Sequence, residues 1–515
     1  MPFTLSRSTF VTLGLLLLAI ANVAVWTRQG RPQHYPDAPH GEFACLSYTP
    51  RSGTHHGAAA DIHAQIERDL RQLSARTRCV RTYSVLNGLD HVPATARKLG
   101  MRVLLGIWIS SNPKTNEIEI QHAIKTASEY RDVVDAIIVG NEVLLRREQT
   151  VAALRDLLMR VRAATRLPVT YADVWDFWFK NPELANVSDF VTIHILPYWD
   201  DDPVGVDGAI ERVQTIYAKA QQLFPGKRIY VGETGWPSVG RQRETAKPGL
   251  LNQARFTREF IALADREQIP YNFIEAYDQP WKKNLEGTVG GYWGVYDAQG
   301  NEKFPLTGSV IADADWWRGP LFGIVAAGLL LLAARRTNRP SIDLALAGIS
   351  LGCLAIWQWD YLWQNNRTWL EWLAMSVFML LGHAVFLLSL FGLEQRYARA
   401  WSYALLALLM CTAYVDLGLV FNARYRDFPS IFMLLPVTLL LLNSSKRPYL
   451  TRSGETLLLG TWVILSSICI AIAEGIGNGS ALRWCVINGL FGLLLCWQHW
   501  RLPLVYPHQR AQQQA

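Results

Sequence analysis

From about Pro320 onward the chain is a succession of apolar runs joined by short polar links. Runs begin near Pro320, Ile342, Leu370, Trp401, Phe428, Thr456 and Ala481, and several approach the ~20 residues a helix needs to cross a bilayer. Packed in water, so many apolar helices would leave little polar surface. The pattern predicts an all-α transmembrane domain over 316–500 with about seven spans, and a tail over 501–515. The run from Pro320 to Ala334 is short, but Trp316 and Trp317 stand ahead of it, where indole rings suit the interface. Ser8 to Trp26, behind Arg7, is a further run, so 1–30 reads as a signal anchor. Ala19-Ile20-Ala21 has the form of a cleavage site and leaves a cleaved signal peptide as the alternative.

Every second link is basic: Arg335, Arg336 and Arg339; Arg396 and Arg399; Lys446, Arg447 and Arg452; Arg501 and Arg510. Basic links mark the cytoplasmic face, which sends residues 31–315 to the outer one. Arg424 and Arg426 break the rule, and Asp427 offsets them only in part. The net charge of +7 is carried by such links, and no basic stripe suggests a nucleic-acid partner. Asp416 and Glu474, near span ends, read as interfacial, while Asp360 and Glu371 flank an outer loop. Of the 7 cysteines, Cys353, Cys411, Cys469, Cys485 and Cys496 fall in apolar runs and read as inert core. Cys45 and Cys79 fall in neighbouring strand candidates, either as a disulfide or as two buried thiols.

Across 31–315, short β-rich runs alternate with helical stretches. The strand candidates are Phe43–Tyr48, Cys79–Ser84, Val103–Ile109, Ala136–Gly140, Val169–Ala172, Phe190–Ile195, Arg228–Gly232 and Tyr271–Ala276. They are apolar on successive residues, as strands buried on both faces must be. Helices are expected over Asp61–Leu73, Asn116–Tyr130, Thr150–Ala164, Gly208–Leu223 and Leu251–Glu267. Eight such units match an α/β fold of the (β/α)8 TIM barrel type. An open doubly wound sheet is the alternative, but Thr49-Pro50-Arg51-Ser52-Gly53 after the first strand is no phosphate-binding turn.

Barrel active sites lie at the C-terminal ends of the strands. Those ends here carry Tyr48, Arg81, Tyr83, Trp108, Asn141, Glu142, Asp173, Trp175, His194, Tyr198, Glu233 and Glu275, with Trp236 and Trp281 just beyond. Aromatic faces with carboxylates and amides suit a sugar better than a phosphate or nicotinamide. Two apolar strands, Ile137 to Gly140 and Ile229 to Gly232, each deliver a glutamate, Glu142 and Glu233. Glycosidic cleavage needs such a pair: one carboxyl protonates the departing oxygen, the other attacks the sugar or activates water. No metal or cofactor is called for. His55-His56 lacks a third ligand nearby and reads as solvated or substrate-facing.

The segment Val231-Gly232-Glu233-Thr234-Gly235-Trp236-Pro237-Ser238 resembles the signature of glycoside hydrolase family 17. Val139 to Leu144 resembles that family's acid/base strand, and Phe273 to Lys282 its eighth strand in the fungal and bacterial branches; the likeness runs from about Gly41 to Gly308. It implies retaining cleavage of β-1,3-glucan, with Glu142 as acid/base, Glu233 as nucleophile and Asn141 on the sugar 2-hydroxyl. It also implies charge tuning by Glu275 and Lys282. The strand-end positions place Tyr48, Arg81, Tyr83, Trp108, Tyr198, Trp236 and Trp281 on the substrate side, with some of the aromatic rings serving as barrel packing and at least two as sugar platforms. Retention requires carboxyls about 5–5.5 Å apart and a Glu142 that keeps its proton near neutrality while Glu233 is ionised. Bacterial relatives of this kind resemble transglucosylases of periplasmic or envelope glucans. The expected setting is therefore a multi-pass inner-membrane protein with a periplasmic barrel. Its partners would be β-glucan, membrane lipid and, given the surplus of spans, a glucan synthase or exporter. A glycan-binding protein without catalysis is the non-enzymatic alternative. A synthase would need a cytoplasmic nucleotide-sugar domain, for which the links are too short.

Overall fold

The computed structural model describes residues 7–51, 59–333, 340–394, 396–422, 425–443 and 454–501. His55-His56 and the link residues Arg335, Arg336, Arg339, Arg424, Lys446, Arg447, Arg452 and Arg510 lie outside them. The chain forms two compact units, Pro32–Ile311 and Met1–Arg31 with Ala312–Ala515.

In the first unit, β1 (Gln33–His34) pairs with β9 (Ser309–Val310) and ties its beginning to its end. Between them runs a seven-stranded sheet, parallel throughout. Its strands are β2 (Leu46–Ser47), β3 (Cys79–Arg81), β4 (Arg102–Ile107), β5 (Val134–Asn141), β6 (Val169–Val174), β7 (Val191–His194) and β8 (Ile229–Glu233). Spatial order equals chain order, as successive crossovers through Ala59–Leu73, Val92–Lys98, Pro113–Glu129, Val151–Thr165 and Val206–Leu223 require. The expected eighth strand is not a continuous one. Tyr271 bridges to Val231 and Phe273 to Leu46. Asn272 N donates to Val231 O and Phe273 N to Cys45 O, each at 2.8 Å. With its hydrogen bonds divided between two neighbours, this stave closes the sheet into a barrel and leaves no free edge.

The apolar strands now have their reason. Leu104, Ala136, Ile138, Ala172, Phe190 and Tyr230 form one buried cluster. Their neighbours Val103, Leu105, Ile137, Val139, Val191 and Val231 belong to another, shared with the helices. Alternate residues thus fill the inside and coat the outside of one wall. Helix starts are locally coded: Asn112 accepts from Lys114 N and Thr115 N ahead of Pro113, and Thr150 accepts from Ala153 N. The register Leu46↔Val80 sets Cys45 beside Cys79, and of the two readings open to them they take the disulfide, with Cα atoms 4.4 Å apart.

The second unit is all helix: Arg7–Gln29, Arg318–Ala333, Ser341–Asn365, Trp369–Leu390, Ala398–Phe421, Ser430–Asn443, Gly454–Glu474 and Gly479–Arg501. Among the described residues 6 helices are long and apolar enough to cross a membrane, while Arg318–Ala333 and Ser430–Leu442 are shorter. Large apolar side chains lie bare on its surface, such as Leu332, Leu458 and Ile472. Both observations are compatible with a multi-pass membrane region. Three details correct the sequence reading. Asp416 is not interfacial but fully buried between helices, accepting from Ser466 Oγ and Trp484 Nε1 at 2.8 Å each. Cys469 is exposed, because its position on the helix turns it away from the bundle. Arg426, one of the two exceptions to the basic-link pattern, lies 2.6 Å from Glu474 and donates to Asn422 O, so its charge is locally matched.

Candidate active site

Glu142 follows β5 through a sharp backbone turn. Gly140 has φ +83°, and a side chain there would come within 2.5 Å of Val143. Glu142 itself sits at φ +53°, in the left-handed region that non-glycine residues rarely occupy. Its N–H is anchored to Ala172 O at 2.8 Å, so the carboxyl is fixed from β6 as well as β5. Glu233 is the last residue of β8. Gly232 before it lies so close to β7 that a Cβ would meet Thr192 at 2.5 Å and the His194 ring at 3.0 Å. Glycine there makes room for His194 at the end of β7.

These two turns bring Glu142, Glu233 and His194 together, with one carboxylate oxygen of each glutamate and a ring nitrogen of the histidine within 4.8 Å of one another. His194 Nδ1 is 2.9 Å from Glu142 Oε1 and 3.7 Å from Glu233 Oε2. Around Glu233, Arg81 Nη1 lies 3.2 Å and the Tyr83 hydroxyl 2.9 Å from Oε1. Arg81 also donates to Gly232 O at 2.8 Å and through Nη2 to Asn141 Oδ1, while its guanidinium stacks 4.7 Å over the Tyr83 ring. A nearly fully buried arginine is tolerable because carbonyl, carboxylate and amide oxygens surround it. The trio has spacings a metal could use, but the Arg81 charge on Glu233 opposes a cation there.

Burial pushes the Glu142 carboxyl up, but the His194 N–H, Arg146 and Arg81 together outweigh it and hold the carboxyl below the ordinary range. That direction favours the ionised form in the free site, whereas the expected acid carries its proton. Asp173, beneath it and bonded to Tyr171, is pushed by burial up to about 6. Glu275, also buried, is raised by desolvation despite Lys282, whose Nζ lies 2.8 and 3.0 Å from its two oxygens.

The other expected residues divide by exposure. Arg81, Tyr83, Asn141, Glu275 and Lys282 belong to the polar network around the pair. Trp108 is half-buried with Arg146 4.2 Å over one face, and Trp281 is 40 % exposed. Tyr48, Tyr198 and Trp236 are fully buried and present no ring face to a sugar. Tyr48 is occupied with Asp69 at 3.0 Å, Tyr198 with Arg241 O at 2.6 Å, and Trp236 with Lys247 O at 3.0 Å. A strand-end position does not reveal whether a large ring turns into the mouth or back into the wall. His194 was visible as a strand end, but its place between two carboxylates could not be read without the register of β7 and β8.

Lys282→Met is expected to lower stability by about 3–5 kcal/mol, because it leaves the Glu275 carboxyl buried and unmatched. Lys282→Met combined with Glu275→Leu should recover much of that loss in a thermal melt. A double variant no better than the single one would rule out the unpaired charge as the cause.

Residues 45–294 match the family model described as the BtgE/BtgC glycoside hydrolase domain. The chain is similar to a protein named glucan 1,3-beta-glucosidase from Saccharomyces cerevisiae, 25% identical over 269 residues, covering 47% of this chain and 84% of that one. It is likewise similar to one of the same name from Schizosaccharomyces pombe, 26% identical over 325 residues, covering 59% and 98%. Among solved structures, an active-site mutant of a Rhizomucor miehei beta-1,3-glucanosyltransferase in complex with laminaritriose aligns with 26% identity and TM-score 0.45, over 53% of this chain and 98% of that one.

Proposed function

We propose that this chain, whose residues 45–294 carry a glycoside hydrolase domain of the family 17 type, cleaves β-1,3-glucan by double displacement, with Glu142 as acid/base and Glu233 as nucleophile. The observation that carries the reading is that one oxygen of each carboxylate lies within 4.8 Å of the other's, nearer the ~5–5.5 Å carboxyl spacing of retention than the ~6.5–9.5 Å of inversion. Glu233 suits attack: Arg81 and Tyr83 hold one of its oxygens in place. Glu142 keeps 23% of its side chain exposed. A bound sugar covers that surface, strengthens the desolvation that already favours the neutral form, and so loads the proton. The proton passes to the departing oxygen as Glu233 Oε bonds to the anomeric carbon. The ester has lost the Glu233 charge, and Glu142, now ionised, takes a proton from the incoming hydroxyl. Arg81 holds Asn141 Oδ1, which leaves the amide N–H groups to meet the 2-hydroxyl.

The same reading sets the domain outside the cytoplasm, on a bacterial inner membrane, supported by the basic links and by the Cys45–Cys79 disulfide. Transfer to a second glucan is the alternative fate of the ester. Trp281, exposed and close in sequence to Lys282, offers an acceptor sugar a flat face. A synthase or exporter bound to the helical unit would supply glucan to either reaction. Full-length protein in mild detergent, incubated with laminari-oligosaccharides and read by mass spectrometry, tests the proposal. Shorter products only mean hydrolysis, and products longer than the donor mean transfer. Unchanged oligosaccharides under conditions where the protein stays folded would favour the non-catalytic glycan-binding alternative.

A further inference from the structure

The catalytic reading leaves one group unused. His194 is completely buried at the end of β7, and no step above needs its ring. Its Nδ1 faces Glu142 Oε1 at 2.9 Å and Glu233 Oε2 at 3.7 Å. Two ionised oxygens around one nitrogen are attractive only if that nitrogen bears a proton. The other nitrogen, Nε2, is buried without a hydrogen-bond partner. The N–H that the geometry provides for is therefore the one on Nδ1, aimed at Glu142.

We infer that His194 is a positioning residue that sets the pH at which Glu142 loads and loses its proton, by donating a fixed N–H to the carboxylate and to nothing else on its far side. The inference rests on Glu142 being the acid. Its consequence is that the ionised acid is favoured at rest and the proton is taken up only when substrate seals the site. The device guards against an idle protonated acid. Its effect is separable from the other charges near Glu142: Arg81 from β3, Arg146 from the turn after β5, Asp173 and Tyr171 from β6, Glu233 from β8 and Glu286 from the segment beyond Lys282. Arg81 is committed to Glu233 and Asn141, and Arg146 to Ile109 O and Glu148, both at fixed geometry. Neither is free to replace a missing imidazole N–H.

The experiment is the pH profile of kcat/KM on a laminari-oligosaccharide for the full-length protein and its His194→Phe, His194→Ala and His194→Asn variants. Loss of the N–H removes what holds Glu142 down while its burial persists, so its carboxyl rises. The alkaline limb, where the acid is lost, should move to higher pH by about one unit in the Phe and Ala variants. Asn can present an amide N–H near the Nδ1 position and should keep the wild-type limb. An unmoved limb in Phe and Ala, with kcat merely reduced, would make His194 a packing residue and overturn the inference. So would an Asn variant that shifts as far as Phe. Should neither Phe nor Ala fold, the wild-type chain labelled with 15N-histidine gives the answer. A neutral ring protonated on Nδ1 that changes when Glu142→Gln is introduced upholds it, and a ring protonated on Nε2 overturns it. Full activity in Glu142→Gln alone would sink the assignment of the acid, a failure distinct from an unmoved limb.

Discussion

Glu233→Gln is expected to lower turnover of β-1,3-glucan by about 10⁴-fold or more while leaving the thermal midpoint near wild type. The two halves of that statement have separate causes. Glutamine keeps an oxygen for Arg81 and Tyr83, which stand 3.2 and 2.9 Å from Glu233 Oε1, so the buried guanidinium retains an acceptor. Alanine would remove it, and an arginine so deeply buried without its carboxylate costs about 3–5 kcal/mol. Lost activity in Glu233→Ala would therefore mix chemistry with unfolding. An amide is, however, no nucleophile, and two neighbouring buried carboxylates are already engaged: Glu275 with Lys282 and Asp173 with Tyr171. Wild-type protein treated with a slow 2-fluoro glucoside should gain one sugar on the peptide bearing Glu233. A label elsewhere, or glutamine protein with ordinary turnover, would remove Glu233 from the mechanism.

Glu142→Gln should divide substrates by their leaving groups. On a sugar leaving group, which needs a proton, the rate should fall about 10²–10⁴-fold. On an aryl glucoside whose phenolate leaves unaided, the first step should be nearly normal. The ester then accumulates, because no base activates water, and a burst of phenolate followed by slow turnover is expected. Azide, which attacks without a base, should restore the second step and yield glucosyl azide. The alkaline limb of the profile should vanish with the acid. Equal losses on both substrates, with no rescue by azide, would show that residue 142 does not handle protons. The left-handed backbone at Glu142 makes glutamine the right choice, since its shape disturbs the turn least.

The barrel was legible because a strand covered on both faces must be apolar at consecutive positions, and few other folds repeat such strands so regularly. Seven of the eight staves formed close to the expected residues. The eighth did not, because Tyr271 to Ala276 shares its bonds between two neighbours, and sequence carries no sign of that division. At the site, the two glutamates were legible from the same strand-end logic, and Arg81, Tyr83 and Asn141 followed them. Tyr48, Tyr198 and Trp236 misled because aromatic rings serve walls as readily as mouths. The hydrogen bond from His194 to Glu142 was out of reach, since it depends on an imidazole placed by the relative register of β7 and β8. In the helical unit, the apolar runs were plain, but the matching of Arg426 by Glu474 needed the fold.

One covalent tie reaches further than the two strands it joins. Cys79 opens β3 and Arg81 closes it, two residues later, against Glu233. Before an oxidant has acted, that short stave is held to β2 by backbone bonds and packing alone. A chain with reduced thiols would thus carry Arg81 on a stave that lacks its covalent tie. Maturation of the cleft is thereby coupled to oxidation of this pair, and protein made in a strain lacking thiol oxidation should emerge less active than the same chain after mild air treatment.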